Sequence, residues 1–172
     1  MKKSALLTIT AIFTLLVFFG SLIFSKDVDT KELNRAIERL SNQSIFGLGG
    51  MGITGKVSQS TFDFIDLYEL GNPKDNFENL LNKAQTQEAK CFALFGLNLV
   101  SHSDFEEHSK KFHAANKIIQ TQSGCIVDLV GSAAWLDALK TQATRKIVKQ
   151  QIEDWKKRRP EQPEISHEHI TP

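Results

Sequence analysis

The chain has 172 residues, with 21 basic and 20 acidic side chains, so its net charge is close to zero. A near-neutral chain lacks the basic field that nucleic-acid recognition requires, and no nucleic-acid partner is expected. About 130 residues separate an apolar N-terminal run from a polar C-terminal tail, which is enough for one domain with a hydrophobic core.

The first 25 residues predict the compartment in which the chain works. Lys2 and Lys3 precede an uncharged, mostly apolar run from Ala5 to Phe24. A spanning helix needs about 20 apolar residues, whereas a signal peptide has about 7–15 before a small-x-small cleavage site. Two alternatives stay open: a signal-anchor in the inner membrane, or a signal peptide cleaved after Ser25. Because the lysines stay inside, both place the body on the extracytoplasmic side, tethered by the N-terminal helix or, after cleavage, periplasmic or secreted.

Residues 26–159 are expected to form one helical extracytoplasmic domain, and residues 160–172 a disordered tail that is too polar to fold alone. Asp29 and Glu32 have the spacing of a capping box at the start of a first helix. Its apolar residues recur at i, i+3, i+4 and i+7. They are Leu33, Ala36, Ile37 and Leu40.

A glycine-rich stretch, residues 47–55, matches two phosphate-binding patterns. Gly47, Gly49 and Gly52 have G-x-G-x-x-G spacing, and Gly50 to Lys56 approaches a P-loop. Both patterns bind phosphate only between a strand and a helix, and the preceding segment reads as helix and turn. We therefore expect no nucleotide and no cofactor, but a loop whose glycines permit positive φ. Its apolar side chains, Phe46, Leu48, Met51 and Ile53, would turn inward.

Four helices are expected next. Ser58 or Ser60 can cap one that stops at Gly71-Asn72-Pro73, and another carries Phe77, Leu80 and Leu81. Apolar residues nearly encircle the third, Ala89 to Val100, after Thr86, which predicts the central core helix. The fourth would begin with a capping box of Ser103 and Glu106. Its inner face would carry Phe105, His108 or Ser109, and Phe112.

The C-terminal part of the domain begins with an irregular segment, 118–130. Its β-branched residues around Ser123-Gly124 predict a short extended segment or a buried loop. One helix about 40 Å long would then run from Ser132 to Arg158. Its inner side would carry Trp135, Leu139, Ala143, Ile147, Ile152 and Trp155. The predicted fold class is therefore all-α: a single compact domain of short amphipathic helices plus one long C-terminal helix, preceded by the transmembrane or signal helix.

Two cysteines, Cys91 and Cys125, lie in the exported part. An even count outside the cytoplasm predicts one disulfide, worth about 3–4 kcal/mol for a loop of this length. The alternative is two buried free thiols acting as small apolar groups. A third reading makes Cys125 a nucleophile with His102, His108 or His113 as its base, but nothing in the spacing places a histidine beside it.

Two polar clusters could carry chemistry. His102, Asp104, Glu106, Glu107, His108 and His113 are a ligand-rich set, and His167 and His169 lie in the tail. The histidine spacing does not suit a helical metal pair, so no metal site is expected. Glu106, Glu107, Lys110 and Lys111 would instead form a solvated face with i, i+4 pairs. The basic run Lys156 to Arg159 would contact anionic lipid or, more simply, complement a helix dipole.

Three short motifs resemble those of an uncharacterised family of small exported bacterial helical proteins. The stretch from Phe46 to Gly55 is similar to its FGxGGxGxxG-like stretch, Ala93 to Leu97 to its ALxGL-like helix, and Gly124 to Ile126 to its GCI segment. This chain has Phe92 where the family more often has Tyr. The resemblance implies one compact domain holding both the glycine stretch and Cys125, and it implies no activity and no site residues.

Two functional classes follow from these patterns. The expected one is a membrane-tethered, non-enzymatic extracytoplasmic interaction domain that binds a protein partner. The alternative is a small extracytoplasmic enzyme that uses Cys125 as a nucleophile or a histidine-centred metal site.

Overall fold

The computed structural model describes residues 30–159, which form seven helices and two two-stranded antiparallel sheets. The predictions for residues 1–25 and 160–172 lie outside the described residues. In chain order the elements are α1 (30–41), β1 (Gly50–Met51), β2 (Lys56–Val57), α2 (Gln59–Glu69), α3 (Pro73–Lys83), α4 (Gln87–Val100), α5 (His102–Ala114), β3 (Ile118–Ser123), β4 (Ile126–Gly131), α6 (Ser132–Leu139) and α7 (Gln142–Lys156).

The prediction of a mostly helical domain is confirmed, and the two small sheets are an addition to the predicted all-α class. None of the helices between residues 30 and 159 combines the length and the apolar sequence that crossing a bilayer requires.

Helix α4 lies at the centre of the domain, as its sequence predicts. Ten of its residues are buried: Ala89 and every residue from Cys91 to Leu99. Helices α3 and α5 pack along it, and β3, α2 and α7 also contact it. Each large apolar side chain buried in this way contributes about 1.5–3 kcal/mol. The core is therefore built around α4 on all sides.

Gly96 allows α3 to approach α4 closely. A Cβ atom at this position would lie 2.3 Å from the ring of Phe77, which is fully buried. The Phe77 ring in turn packs on Phe64, with 5.1 Å between the ring centroids. Because a close-packed interior leaves an enclosed ring no room to shift, the contact requires glycine despite its low helix propensity.

Gly96→Ala is therefore expected to destabilise the domain. Overpacking of a core costs about 1–3 kcal/mol, and the gain in helix propensity, about 1 kcal/mol, offsets only part of that cost. Thermal or urea unfolding measures the change. Gly131→Ala is the matched control, because a Cβ there meets nothing within 4 Å. Equal melting temperatures for the two variants would contradict the packing described here.

The glycine-rich stretch forms the tight hairpin β1–β2, in which Gly50 pairs with Val57. Gly49 has a φ of +96°, and a Cβ there would lie 2.9 Å from the Trp155 ring. The predicted inward turn is confirmed for Phe46 and Leu48, which pack against the core. It is wrong for Ile53, which is 97% exposed at the tip of the hairpin. The side chain of Met51 lies outside the described residues.

The segment 118–131 forms a larger hairpin, β3–β4, so the prediction of an extended segment is confirmed and that of a buried loop is wrong. Ser123 pairs with Ile126 across a two-residue turn of Gly124 and Cys125. Gly124 has a φ of +58°, as the first position of such a turn requires. On the other side of β3, Phe46 exchanges two backbone hydrogen bonds of 2.8 Å with Gln120 and Gln122.

The prediction of one long C-terminal helix is wrong. The segment forms two helices, α6 and α7, with a break after Leu139. Thr141 is the N-cap of α7, and its hydroxyl accepts a hydrogen bond from the Thr144 N–H. The break resets the helical phase. Ile147, predicted to face inward, is therefore 57% exposed, and Val148 faces the core instead.

Helix α2 buries two acidic side chains that sequence periodicity did not mark as internal. Asp63 is fully buried and accepts two hydrogen bonds from Arg39 of α1, at 2.6 and 2.9 Å. Asp66 accepts one from Arg159 at 2.8 Å. A buried carboxylate is stable only when it is paired. These pairs tie α1 and the end of α7 to α2.

Candidate functional surfaces

The two cysteines are free thiols in the structure, so the predicted disulfide is absent from it. Cys91 points into the core from α4, whereas Cys125 is exposed in the turn of the β3–β4 hairpin. These positions give the two sulfur atoms opposite surroundings. Burial raises the pKa of the Cys91 thiol far above its usual range, with Glu88 adding to the effect. Cys91 is therefore an inert core residue.

Cys125 does not have the surroundings of a nucleophile. Its side chain makes no hydrogen bond or ion pair within residues 30–159, and none of the three candidate histidines is joined to it there. A catalytic thiol needs an adjacent base that stabilises the thiolate. The geometry thus gives the enzyme alternative no support at this residue.

Thiol labelling is expected to separate the cysteines. In the folded full chain, purified without reductant, one thiol should react quickly with a maleimide and the other only after unfolding, because only Cys125 is exposed. Mass spectrometry identifies the labelled peptide, and Cys125→Ser should abolish the fast reaction. If no thiol reacts even in denaturant until a reductant is added, the two cysteines form the predicted disulfide.

The histidine-rich set on α5 is dispersed among other contacts. His102 lies 3.8 Å from Glu106, and its ring stacks on Phe105. Asp104 binds Lys74 at 3.0 Å. Within the described part of the chain, no group of three or more His, Cys, Asp or Glu side chains is arranged to hold a metal ion. His167 and His169 lie outside it.

Two details of α5 differ from the sequence prediction. The helix begins two residues earlier than a Ser103 cap implies, and its N-cap Ser101 makes no side-chain capping bond because its hydroxyl donates to Asp104. The predicted inner face is confirmed: of the two alternatives His108 and Ser109, it is Ser109 that is buried with Phe105 and Phe112. The predicted i, i+4 ion pairs of Lys110 and Lys111 are not among those that the described residues form.

The backbone of the glycine-rich stretch has no strand–loop–helix geometry for phosphate. The Gly49 N–H donates to the Thr61 hydroxyl at 2.8 Å, and the Gly52 N–H donates to the Gly124 carbonyl at 3.0 Å. The Gly55 N–H closes the β1–β2 turn. Because these donors are already used within the fold, they are not free to cradle a phosphate group.

The basic run at the end of α7 is largely neutralised. Three of its four side chains form ion pairs: Lys156 with Glu69 and Glu153, Lys157 with Asp154, and Arg159 with Asp66. Burial raises the pKa of Asp66, and the hydrogen bond from Arg159 opposes that rise. The run therefore stabilises the packing of α7 on α2 and offers little free charge to anionic lipid.

A groove of about 750 Å³ lies between the end of α4, the start of α5 and the first half of α7. Its lining is Asn98, Leu99 and Val100 of α4, His102 of α5, and Arg145, Lys146 and Lys149 of α7. No acidic side chain of residues 30–159 lines it. Sequence analysis missed this groove, because its residues are more than 40 positions apart.

The outer face of the β3–β4 hairpin carries exposed apolar side chains. The register places Gln120 opposite Leu129 and Gln122 opposite Val127, so these residues share one face with Ile118. The exposed fractions of Ile118, Val127 and Leu129 are 63%, 47% and 74%. Ile119, on the opposite face, is fully buried in the core. We call the set Ile118, Gln120, Gln122, Val127 and Leu129 the outer hairpin face.

Strand β4 also has an unpaired edge. It is bonded to β3 alone among the described elements. In an antiparallel pair the hydrogen-bonded positions alternate, and a two-residue turn closes with a bonded pair, here Ser123 and Ile126. The backbone N–H and C=O groups of Val127 and Leu129 therefore point away from β3. The edge and the outer hairpin face are adjacent.

Comparison with known proteins identifies no relative: no protein-family model, no curated protein and no solved structure matches this chain. The resemblance of its three motifs to those of small exported bacterial proteins stays a prediction.

Proposed function

We propose that this chain is a membrane-tethered, non-enzymatic extracytoplasmic interaction domain that binds a protein partner through the β3–β4 hairpin. The observation that supports the proposal is the outer hairpin face, with its three exposed apolar side chains beside the unpaired edge of β4. Exposed apolar patches on folded proteins mark interaction sites. The apolar run from Ala5 to Phe24 supports the tether.

The partner that fits this surface is an extended, apolar segment of another protein, added as a strand beside β4. Its backbone would pair with the outward N–H and C=O groups of Val127 and Leu129, and its alternate side chains would cover the outer hairpin face. A second copy of this chain fits less well. Antiparallel pairing of two β4 strands about their centre brings Asp128 opposite its own copy, and like charges in that position repel.

A photo-crosslinking residue in place of Cys125 tests this proposal in intact membranes. The position is exposed at the tip of the hairpin, so a strand beside β4 lies within reach. One discrete adduct is expected. The double variant Val127→Ser/Leu129→Ser should abolish it, because it removes the apolar contacts.

Ile147→Ser is the matched control, since it removes an equally exposed apolar side chain from α7. The adduct should survive that change. An adduct lost equally in both backgrounds, an adduct unaffected by the double variant, or no adduct at all would contradict the proposal. An adduct of twice the mass of the chain would show that the partner is a second copy.

A further inference from the structure

We infer that the groove between α4, α5 and α7 is a binding site for a phosphate-bearing small molecule or headgroup. The site is separate from the hairpin surface and does not depend on the proposed function. Its basis is the contrast between two basic clusters on the same helix. Three of the four residues in the cluster at the end of α7 are paired with acids, whereas the one in its first half forms no ion pair with residues 30–159.

The basic side chains that α7 contributes to the groove lack ion-pair partners in the part of the chain that the structure describes. Arg145, Lys146 and Lys149 form no ion pair with any residue between 30 and 159. Arg145 and Lys149 are also four positions apart on one helix, where like charges repel and destabilise it. Lys156 and Arg159, on the same helix, each have a carboxylate partner. The groove cluster therefore costs stability unless an anion neutralises it.

Two buried polar atoms among the groove-lining residues are also unsatisfied. Within the described residues, the Asn98 Oδ1 and the Arg145 Nε have no hydrogen-bond partner, although Asn98 is only 2% exposed and its Nδ2 donates to the Leu139 carbonyl. A buried polar group without a partner is costly, and a buried charged donor more so. An anion bound to the Arg145 guanidinium would give its Nε a hydrogen-bond acceptor.

The backbone adds to the positive potential of the groove. Helix α5 starts at His102, which lines it, and the hydroxyl of its N-cap Ser101 is used by Asp104 and does not cap the helix. The N-terminal end of a helix carries a partial positive charge, and anions are stabilised near it.

These features specify the ligand class. Arginine and lysine together suit phosphate, which accepts a forked guanidinium pair and several ammonium contacts. A volume of about 750 Å³ exceeds what a bare phosphate fills and is that of a small organic ligand. Leu99 and Val100 supply an apolar wall for its carbon skeleton. The phosphate is either free in solution, as in a phosphorylated polyol, or part of an anionic lipid headgroup.

Lysine footprinting of the full chain in phosphatidylcholine vesicles tests the inference at constant ionic strength. Acylation rates of Lys146 and Lys149 are measured by mass spectrometry, with Lys110 and Lys157 as internal controls. Glycerol 3-phosphate added in solution, or phosphatidylglycerol included in the vesicles, should slow labelling of the groove lysines by about fivefold or more. The reason is that each of the two lysine side chains would be held in a charge-assisted contact with phosphate. The control lysines should change little. Protection by the soluble probe identifies a free phosphate, and protection only by the lipid identifies a headgroup.

A pair of charge-matched variants completes the test. Lys146→Gln should raise the probe concentration that half-protects Lys149 by about tenfold or more, whereas Lys110→Gln, which removes the same charge elsewhere, should leave it unchanged. Protection by neither probe would overturn the inference. So would equal protection of the control lysines, or equal weakening in both variants. The variant residues are exposed, so both proteins should fold.

Discussion

The burial of α4 on every side is the constraint on which the rest of the structure depends. A helix surrounded in this way must present small residues wherever a neighbour comes close, and Gly96 against the Phe77 ring is such a place. The aromatic cluster extends from there: Phe64 lies beside Phe77 and Phe95, and Phe46 lies beside Phe95 and Phe92. Phe46 also bonds to β3. The position of the exposed hairpin is thus set by the packing around α4.

The same arrangement leaves two parts of the surface as candidates for binding. Two carboxylates of α2 are buried against Arg39 of α1 and Arg159 at the end of α7, and these pairs stabilise the fold. Among residues 30–159 the groove cluster of Arg145, Lys146 and Lys149 forms no ion pair, and the outer hairpin face exposes apolar side chains that a core would bury. A feature that costs stability but persists in a folded domain is a first candidate for a binding site.

Local patterns in the sequence predicted the helices well and the connections poorly. Apolar residues on all sides located α4, and the Ser58 and Thr86 caps lie where the sequence placed them. The break between α6 and α7 was missed because apolar spacing continued across it, although Thr141 and Thr144 carry a capping signal. That error placed Ile147 inside instead of Val148. The groove lay beyond such reasoning, because only the tertiary fold brings Asn98 near Arg145. The disulfide was inferred from compartment alone, which says nothing about where the two side chains point.

Native-state hydrogen exchange tests the central place of α4 most directly. Amides from Ala93 to Leu97 are expected to exchange only through global unfolding, with an opening free energy equal to that of the whole domain. Those of β4 and the first half of α7 should open at lower free energy, since these elements face solvent. If the α4 amides instead exchange through local opening, faster than those of α7, the fold does not depend on this helix and the account is wrong.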